Sequence, residues 1–225
     1  MVEGMDPRLE SIRLELRGRL AGNRCLVVGS APNTSWPATA PERIICANGS
    51  GWIAARHGAA IADLTIVAGA ATRKRKPVHF ATQAVWRGLH TRHLMFIAAF
   101  QTAETGQEVI DASGLTYDKL TVVSAQDRSA ITQQVCGFDL ATGETADRIS
   151  TGIFACAAAI WAGAAEVTLC GFSLTSGGHA YMTEDTPRFH QNGDRTFLSL
   201  AHTLAATIST TSADIARDHG IALVP

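Results

Sequence analysis

Residues 148–173 read RISTGIFACAAAIWAGAAEVTLCGFS, and this stretch decides the fold class of the chain. It opens on a polar turn at 150–152, continues through a run of small residues, and ends on an apolar run at 167–170. A polar turn before a small-residue run predicts a capped helix that packs closely on a sheet. The apolar run predicts a buried strand, and a helix that returns directly to such a strand is typical of a parallel α/β sheet.

The start of that helix is a candidate anion site. The first turn of a helix has unpaired backbone N–H groups and the positive end of the helix dipole. Ser150 and Thr151 are capping residue types, Gly152 lets a ligand approach the backbone, and Arg148 adds a forked cationic donor. An ordinary capped helix in an α/β protein has the same pattern, and this segment alone does not decide between the two interpretations.

The size and charge of the chain limit its class. With 225 residues, 46% hydrophobic and 17% charged, the composition predicts one folded α/β domain over residues 1–225. The net charge of -1 argues against a nucleic-acid binder that works by bulk electrostatics. We therefore expect no nucleic-acid partner.

The cysteines and the first residues predict the compartment. The five cysteines show no Cys-x-x-Cys spacing, and three of them lie in or beside apolar strand-like runs, which indicates reduced core residues. Residues 1–20 carry charges throughout and lack the apolar core of a signal peptide. No apolar run is long enough for a membrane span, so we expect a cytoplasmic protein.

Strand and helix patterns alternate along the rest of the chain. Strands are predicted at 24–28, 43–47, 63–67, 93–98, 120–124, 167–170 and 221–224. Besides the helix after residue 150, helices are predicted at 7–20, 52–57, 78–89, 128–136 and 194–218, and residues 175–193 form a glycine-rich loop that we expect to act as a mobile lid. The alternation predicts a doubly wound, mostly parallel, Rossmann-like sheet with helices on both faces.

Polar and small residues follow several predicted strands, at 29–33, 48–50, 69 and 171–173. Ligands of such sheets bind at the carboxyl ends of the strands, so we expect these clusters to meet in one crevice. No G-x-G-x-x-G follows the first strand and no G-x-x-x-x-G-K-[ST] occurs, which argues against NAD(P) dehydrogenases and P-loop NTPases.

Four segments together resemble the bacterial sialyltransferases of glycosyltransferase family 42. Residues 148–172 are similar to the family's CMP-binding segment, which has an Arg-Ile-Thr-Ser-Gly-type turn, a small-residue helix and a strand. Residues 27–33 resemble its Gly-Asn-Gly-Pro-Ser turn, and residues 46–48 resemble its Cys-Asn element, which contacts the nucleotide. Residues 188–194 resemble the segment with the catalytic histidine. The segments follow the family's order.

The resemblance implies a GT-A-variant fold and an inverting, metal-independent transfer of a sialic-acid-type sugar from a CMP-sugar to a glycan or glycolipid such as lipooligosaccharide. It implies no cofactor. His190 would be the general base for the acceptor hydroxyl, Tyr181 would donate to the departing phosphate, and Arg148 would line the same site. His179 is the second candidate for the base.

The resemblance also implies a set of donor-binding residues. They are Gly29, Ser30, Asn48, Ser150, Thr151, Gly152 and Gly171. Asn48 is equally consistent with a simple turn residue, because Asn-Gly is a common turn signal. Four positions depart from the family: Ser30 replaces an asparagine, Gly69 or a neighbour replaces another, Ser173 replaces an acid and Thr175 a tyrosine. The donor sugar therefore stays open among sialic acid, Kdo and other nonulosonates.

Other functions and partners stay open. A pterin diphosphokinase-like enzyme would need ATP, Mg²⁺ and acidic ligands, for which Asp63 and Asp185 are poor candidates. A catalytically silent nucleotide- or glycan-binding protein would fit the departures at Ser173 and Thr175. The basic run at 73–76 is expected to be a solvated loop, with contact to an anionic acceptor or membrane surface as the alternative. A homo-oligomer is also kept as an alternative.

Overall fold

The computed structural model describes residues 6–98, 102–183 and 189–225. The strands are β1 (Arg24–Val28), β2 (Arg43–Ala47), β3 (Ile61–Ala62), β4 (Leu64–Ala68), β5 (His90–Ile97), β6 (Thr116–Val123), β7 (Glu166–Cys170), β8 (Thr207–Thr210) and β9 (Ala222–Leu223). The helices are α1 (Pro7–Leu20), α2 (Gly51–Arg56), α3 (Pro77–Ala84), α4 (Ala103–Ser113), α5 (Ala125–Cys136), α6 (Thr151–Trp161), α7 (Gln191–Ser199) and α8 (Ala213–His219).

These strands form one sheet with the order β3-β5-β4-β2-β1-β7-β8-β9, in which β6 also pairs with β5. Each pairing within the described residues is parallel. The chain winds outward from β1 in one direction through β2, β4 and β5, and in the other through β7 to β9. The predicted doubly wound α/β sheet is confirmed, and its switch point lies between β1 and β7.

Helix α6 is the central packing element of this fold. Its residues from Ile153 to Trp161 are all buried, and they belong to the cluster that includes Val27 of β1 and Leu169 of β7. A run of alanines lets the helix axis approach the sheet closely, because no long side chain separates them. The helix begins where the sequence predicts, with the Ser150 hydroxyl accepting a hydrogen bond from the backbone N–H of Ile153 at 3.2 Å.

The predicted long helix at 194–218 is wrong. Helix α7 ends at Ser199, and the later part of that range forms β8 and α8. Ile208 pairs with Val167 of β7, and threonines at both ends of β8 favour extended backbone. Strand β3 and helix α4 were not predicted, and α3 ends at Ala84, short of the predicted residue 89. Among the described helices, none has both the length and the apolar character needed to cross a membrane.

Candidate active site

A cleft of about 650 Å³ opens over the carboxyl ends of the strands at the switch point. Its walls come from the segments after β1, β2, β4 and β7, from the start of α6, and from residues before α7. The ten residues that the sequence nominated all line it: Gly29, Ser30, Asn48, Arg148, Ser150, Thr151, Gly152, Gly171, Tyr181 and His190. The tertiary structure thus brings the four separate segments to one place. What each residue does there stays a proposal.

Two glycines let the backbone segments that follow β1 and β7 approach each other closely at the bottom of the cleft. The N–H of Gly29 donates to the carbonyl of Cys170 at 2.7 Å, and the N–H of Ala31 donates to the carbonyl of Gly171 at 2.8 Å. A Cβ on Gly29 would collide with the Gly171 carbonyl oxygen, and Gly171 has φ +71°. Both positions therefore require glycine because backbone meets backbone.

In the turn before α6, the backbone N–H of Ser150 has a hydrogen-bond partner, whereas the first N–H groups of the helix have no intrahelical acceptor. Asp194, which is buried, accepts a hydrogen bond from the N–H of Ser150 at 2.7 Å. The N–H groups of Thr151 and Gly152 belong to the first helical turn, where no intrahelical acceptor exists. The sequence explains Gly152 by the approach of a ligand, but the structure adds another reason. A Cβ on Gly152 would lie 2.7 Å from the Phe172 ring.

Arg128 and Arg148 place two guanidinium groups beside this turn. Arg128 donates to the carbonyl of Ile149 and lies over the Phe154 ring at 5.1 Å, while Arg148 donates to the Thr145 hydroxyl at 2.7 Å. Burial and then the charge of Arg148 lower the pKa of Arg128 to about 10, against the opposing effect of Asp194. Both groups keep a buried Nε without a hydrogen-bond partner. The sequence analysis missed Arg128, since nothing in the pattern of α5 marks it.

A backbone carbonyl fixes the tautomer of His190. Its Nδ1 lies 3.0 Å from the carbonyl oxygen of Arg148. A carbonyl only accepts, so Nδ1 carries the proton and Nε2 has the lone pair. Burial lowers the pKa of His190; the carbonyl bond raises it, and the charges of Arg128 and Arg148 lower it further. The imidazole is therefore neutral at neutral pH.

Tyr181, His179, Ser30 and Thr82 form a hydrogen-bonded group on the opposite wall. The Ser30 hydroxyl lies 2.6 Å from Nδ1 of His179, and the Tyr181 hydroxyl lies 3.3 Å from that of Thr82. The two rings stack with centroids 5.3 Å apart. Burial raises the pKa of Tyr181 against the effect of its hydroxyl neighbours, so the phenol keeps its proton. The Ser30 hydroxyl contacts His179, which the sequence analysis did not foresee.

Asn48 has the geometry of a turn residue and also lines the cleft. It adopts φ +52°, and its side-chain oxygen accepts a hydrogen bond from the N–H of Ala68 at 2.9 Å. Its backbone carbonyl accepts from the indole N–H of Trp86 at 3.0 Å. Because the oxygen binds Ala68, the side-chain NH₂ is the part of the amide that is available to a ligand.

Ser173 and Thr175, the two departures after β7, do not line the cleft. Both hydroxyls donate to the carboxylate of Asp214 at the start of α8, at 3.1 and 3.0 Å. Burial would raise the pKa of Asp214, but the hydroxyl bonds from Ser212, Thr175 and Ser173 lower it to about 2. A carboxylate thus lies beside Ser173, but it belongs to Asp214, which is 41 residues further along the chain.

The basic run at 73–76 is only partly the solvated loop that was expected. Lys74, Arg75 and Lys76 are exposed and Arg73 is half-buried, and Arg73 and Lys76 line the cleft. The Lys76 ammonium lies 5.4 Å from the centre of the Phe189 ring. The described lining residues therefore include four cationic side chains, at 73, 76, 128 and 148, against the single carboxylate of Asp194. This excess is local, because the whole chain carries a net charge of -1.

Within 6–98, 102–183 and 189–225, no group of three or more His, Cys, Asp or Glu side chains is placed to hold a metal ion. Asp63 accepts a hydrogen bond from the N–H of Ile44 at 2.9 Å and lies 3.8 Å from Arg92, outside the cleft. Asp185 lies outside the described residues, as does part of the predicted lid at 175–193, whose mobility stays a prediction.

Comparison with known proteins relates the fold to one group of enzymes. No family model and no curated protein matches the sequence. Among solved structures, the sialyltransferase CstII from Campylobacter jejuni with the substrate analogue CMP-3FNeuAc has a TM-score of 0.54 at 13% identity, covering 90% of this chain and 86% of that one. The monofunctional alpha-2,3-sialyltransferase Cst-I from Campylobacter jejuni has a TM-score of 0.59 at 13% identity, covering 91% and 81%.

A third structure, CST-II with a trisaccharide acceptor and CMP, has a TM-score of 0.53 at 13% identity, covering 90% of this chain and 86% of that one. The fold is the GT-A-like fold of these sialyltransferases. At this identity the likeness shows the fold alone, and function has to be argued from the site.

Proposed function

We propose that this protein is a glycosyltransferase that moves a sialic-acid-type sugar from a CMP-sugar to a hydroxyl of a glycan acceptor, with inversion and without a metal ion. The observation that carries the proposal is the cationic cleft at the switch point, whose described lining residues include four basic side chains and one carboxylate. Supporting it, the fold matches sialyltransferases that were solved with CMP or a CMP-linked analogue. Both the phosphate and the sugar carboxylate of such a donor are anionic.

The start of α6 is proposed to bind the donor's anionic groups. The free N–H groups of Thr151 and Gly152, the positive end of the helix dipole and the Arg148 guanidinium all favour negative charge there. Fixed cations in a partly buried cleft stabilise the charge that develops on the departing CMP, which is the task a divalent metal would otherwise perform. Sialic acid, Kdo and other nonulosonates all carry the carboxylate that this charge favours.

His190 is proposed to be the general base. Its Nε2 takes the proton from the acceptor hydroxyl while that oxygen forms a bond to the anomeric carbon of the donor. The bond between the anomeric carbon and the phosphate oxygen breaks, and CMP leaves with the electron pair. One displacement of this kind inverts the anomeric centre.

Tyr181 is proposed to assist departure of the phosphate. Its hydroxyl keeps its proton because burial raises its pKa, and Thr82 and His179 hold the phenol in place. A neutral donor aimed at the leaving oxygen stabilises the transition state more than the bound donor, because the negative charge on that oxygen grows as the bond breaks. Asn48 is proposed to donate its NH₂ group to the nucleotide.

Calorimetric titration with CMP, CDP, ATP and GMP, each with and without Mg²⁺, tests the proposal. We expect binding that is selective for CMP and independent of Mg²⁺, followed by transfer or slow hydrolysis when CMP-sialic acid and other CMP-sugars are supplied. Preference for ATP with Mg²⁺ would instead indicate the diphosphokinase function. CMP binding without turnover of any CMP-sugar would indicate a silent binding protein, and binding of none of the four would contradict the proposal.

A further inference from the structure

A second concave surface lies beside the cleft, between α3 and α4. This groove, which we name the α3–α4 groove, has a volume of about 590 Å³, within the range of small-ligand sites. The residues on which the argument rests are Lys74, Phe80, Gln83, Arg87 and Glu108. None of them lines the cleft, so the groove is a separate surface.

Helix α3 forms a wall shared by the cleft and the groove. Val78, His79 and Thr82 face the cleft, whereas Phe80 and Gln83 face the groove. The basic loop before α3 divides in the same way, since Lys76 lines the cleft and Lys74 lines the groove. One residue, Arg75, separates these lysines in the chain, so a molecule of several sugar units can reach from one surface to the other.

The groove carries cations that the protein leaves unpaired. Lys74 and Arg87 are exposed, and neither forms an ion pair with another described residue. Gln83 donates to the carbonyls of Ala71 and Arg73, at 2.9 and 3.1 Å, and so fixes the loop that presents Lys74. A loop with a fixed backbone loses less conformational entropy when its lysine binds an anion, which favours binding at this loop.

Two other side chains of the groove, those of Phe80 and Glu108, can bind a sugar. Phe80 exposes 51% of its surface, which is unusual for phenylalanine and leaves a flat apolar face for a sugar ring. Glu108 adds a carboxylate that accepts hydrogen bonds from hydroxyl groups. An aromatic face, a hydroxyl acceptor and two cations match an oligosaccharide that carries a phosphate or carboxylate, and a concave site favours such a ligand over a flat membrane surface.

We propose that the α3–α4 groove is a secondary binding site for the acidic part of an oligosaccharide acceptor, whose terminal hydroxyl enters the cleft. The saccharide nature of the ligand rests on the proposed function. The groove adds what the cleft does not provide, namely recognition of acceptor units remote from the reacting hydroxyl. Binding energy from such remote units positions the reacting group.

Binding of acidic oligosaccharides, followed by ligand-observed NMR, tests this proposal. The probes are a mannose pentasaccharide with a terminal phosphate, the same pentasaccharide after dephosphorylation, and a heparin-derived hexasaccharide. We expect at least one acidic probe to bind at millimolar concentration, and the double variant Lys74→Ala/Arg87→Ala to weaken its affinity at least fivefold. Phe80→Ala should weaken the affinity as well, and saturating CMP should not displace the probe.

The matched control is Arg17→Ala/Arg217→Ala, which removes two exposed cations that line neither surface. Because Lys74 and Arg87 are exposed, the groove variant should fold, and unchanged CMP affinity verifies this. Failure of all acidic probes to bind, displacement by CMP, or equal loss in the control variant would overturn the proposal. Binding only to vesicles of phosphatidylglycerol and phosphatidylcholine would overturn it too. CMP binding reports on the cleft separately, so the two proposals can fail independently.

Discussion

Backbone forms the bottom of the cleft, whereas long side chains form its edge. We call the backbone at 29–31, 150–152 and 171–172 the floor, and the side chains of Arg73, Lys76, Tyr181, Phe189 and His190 the rim. The glycines of the floor have no room for an added side chain, since a Cβ on Gly29 would meet the Gly171 carbonyl and one on Gly152 would meet the Phe172 ring. The rim consists of long, charged or aromatic groups, and Phe189 exposes 54% of its surface.

Changes in the floor and changes in the rim should therefore affect different properties, namely stability and turnover. A change in the floor disturbs the close backbone contact after β1 and β7 and the start of α6, which the central core requires. A change in the rim removes a charge, a proton donor or a base, and leaves that backbone contact intact. Floor variants should therefore lose folding free energy, and rim variants should lose turnover.

The largest effect is expected at the rim, from His190→Ala. Loss of a general base lowers kcat by about 100- to 10,000-fold. The variant should keep its CMP affinity and nearly all of its thermal stability, because the lost side chain contributes one hydrogen bond to the Arg148 carbonyl. Turnover of a CMP-sugar and the melting temperature are the two measurements.

The exposed His202 gives the control variant His202→Ala, which should behave as wild type. If His190→Ala unfolded the protein, the distinction between floor and rim would fail. If it kept full turnover, His179 would become the candidate base.

Gly29→Ala tests the floor. Its Cβ would collide with the Gly171 carbonyl, so the strand ends must separate, and we expect a loss of about 2 to 3 kcal/mol in the free energy of unfolding. Gly18→Ala in α1 is the matched control. Nothing lies within 4 Å of its added Cβ, and the better helix former should stabilise by about 0.5 to 1 kcal/mol. Chemical denaturation of both variants measures the difference, and equal stabilities would contradict the packing argument.

Arg128→Met tests the electrostatic link between the floor and the base. The neutral imidazole of His190 is the active form, so activity falls as pH falls through the pKa of His190, which burial and the Arg128 and Arg148 charges hold below its ordinary value. Removing the Arg128 charge raises that pKa. The acid limb of the pH–rate profile should therefore move to higher pH.

Arg92→Met, which removes a cation near Asp63 outside the cleft, is the control and should leave the profile unchanged. A shift of the acid limb to lower pH in Arg128→Met would contradict the assignment of His190 as the base.

The smallest effect is expected from Asp214→Asn, which weakens the support of the segment after β7. The pKa of Asp214 is lowered to about 2, so its stabilisation is present above the ordinary aspartate pKa and is lost as pH falls toward about 2. At neutral pH the variant should lose about 1 kcal/mol, since partial exposure weakens each charge-assisted bond. The deficit relative to wild type should shrink on acidification, as measured by urea unfolding at several pH values. A deficit that did not depend on pH would contradict this origin.

Local signals made part of the fold predictable. The α6 cap, the helix of small residues and β7 follow from the order of residues between 148 and 170, because capping and hydrophobic periodicity act within a few positions. The same holds for β1 and β2 and for the polar residues after them. Strand β8 was not predictable in this way, since Ile208 is extended because it pairs with Val167, about forty residues earlier.

In the candidate site, the lining residues were predictable, but the contacts between them were not. Polar residues at the strand ends and the resemblance to the family 42 sialyltransferases together nominated the ten residues that line the cleft, and His190 and Tyr181 were nominated by the resemblance alone. The contacts that prepare them for chemistry join distant positions: Arg128 with Ile149, His190 with Arg148, and Ser30 with His179, which are 21, 42 and 149 residues apart.

The sequence by itself determined α1, α6, β1, β2 and β7, their order and the residue types at the strand ends, because these depend on local backbone preferences and burial patterns. Only the tertiary structure decided the tautomer of His190 and placed a second guanidinium group, that of Arg128, beside α6. It also decided that the Ser30 hydroxyl contacts His179, and that the basic loop lines both the cleft and the groove. Hydrogen bonds and charge interactions of that kind depend on distance in space, which separation along the chain does not specify.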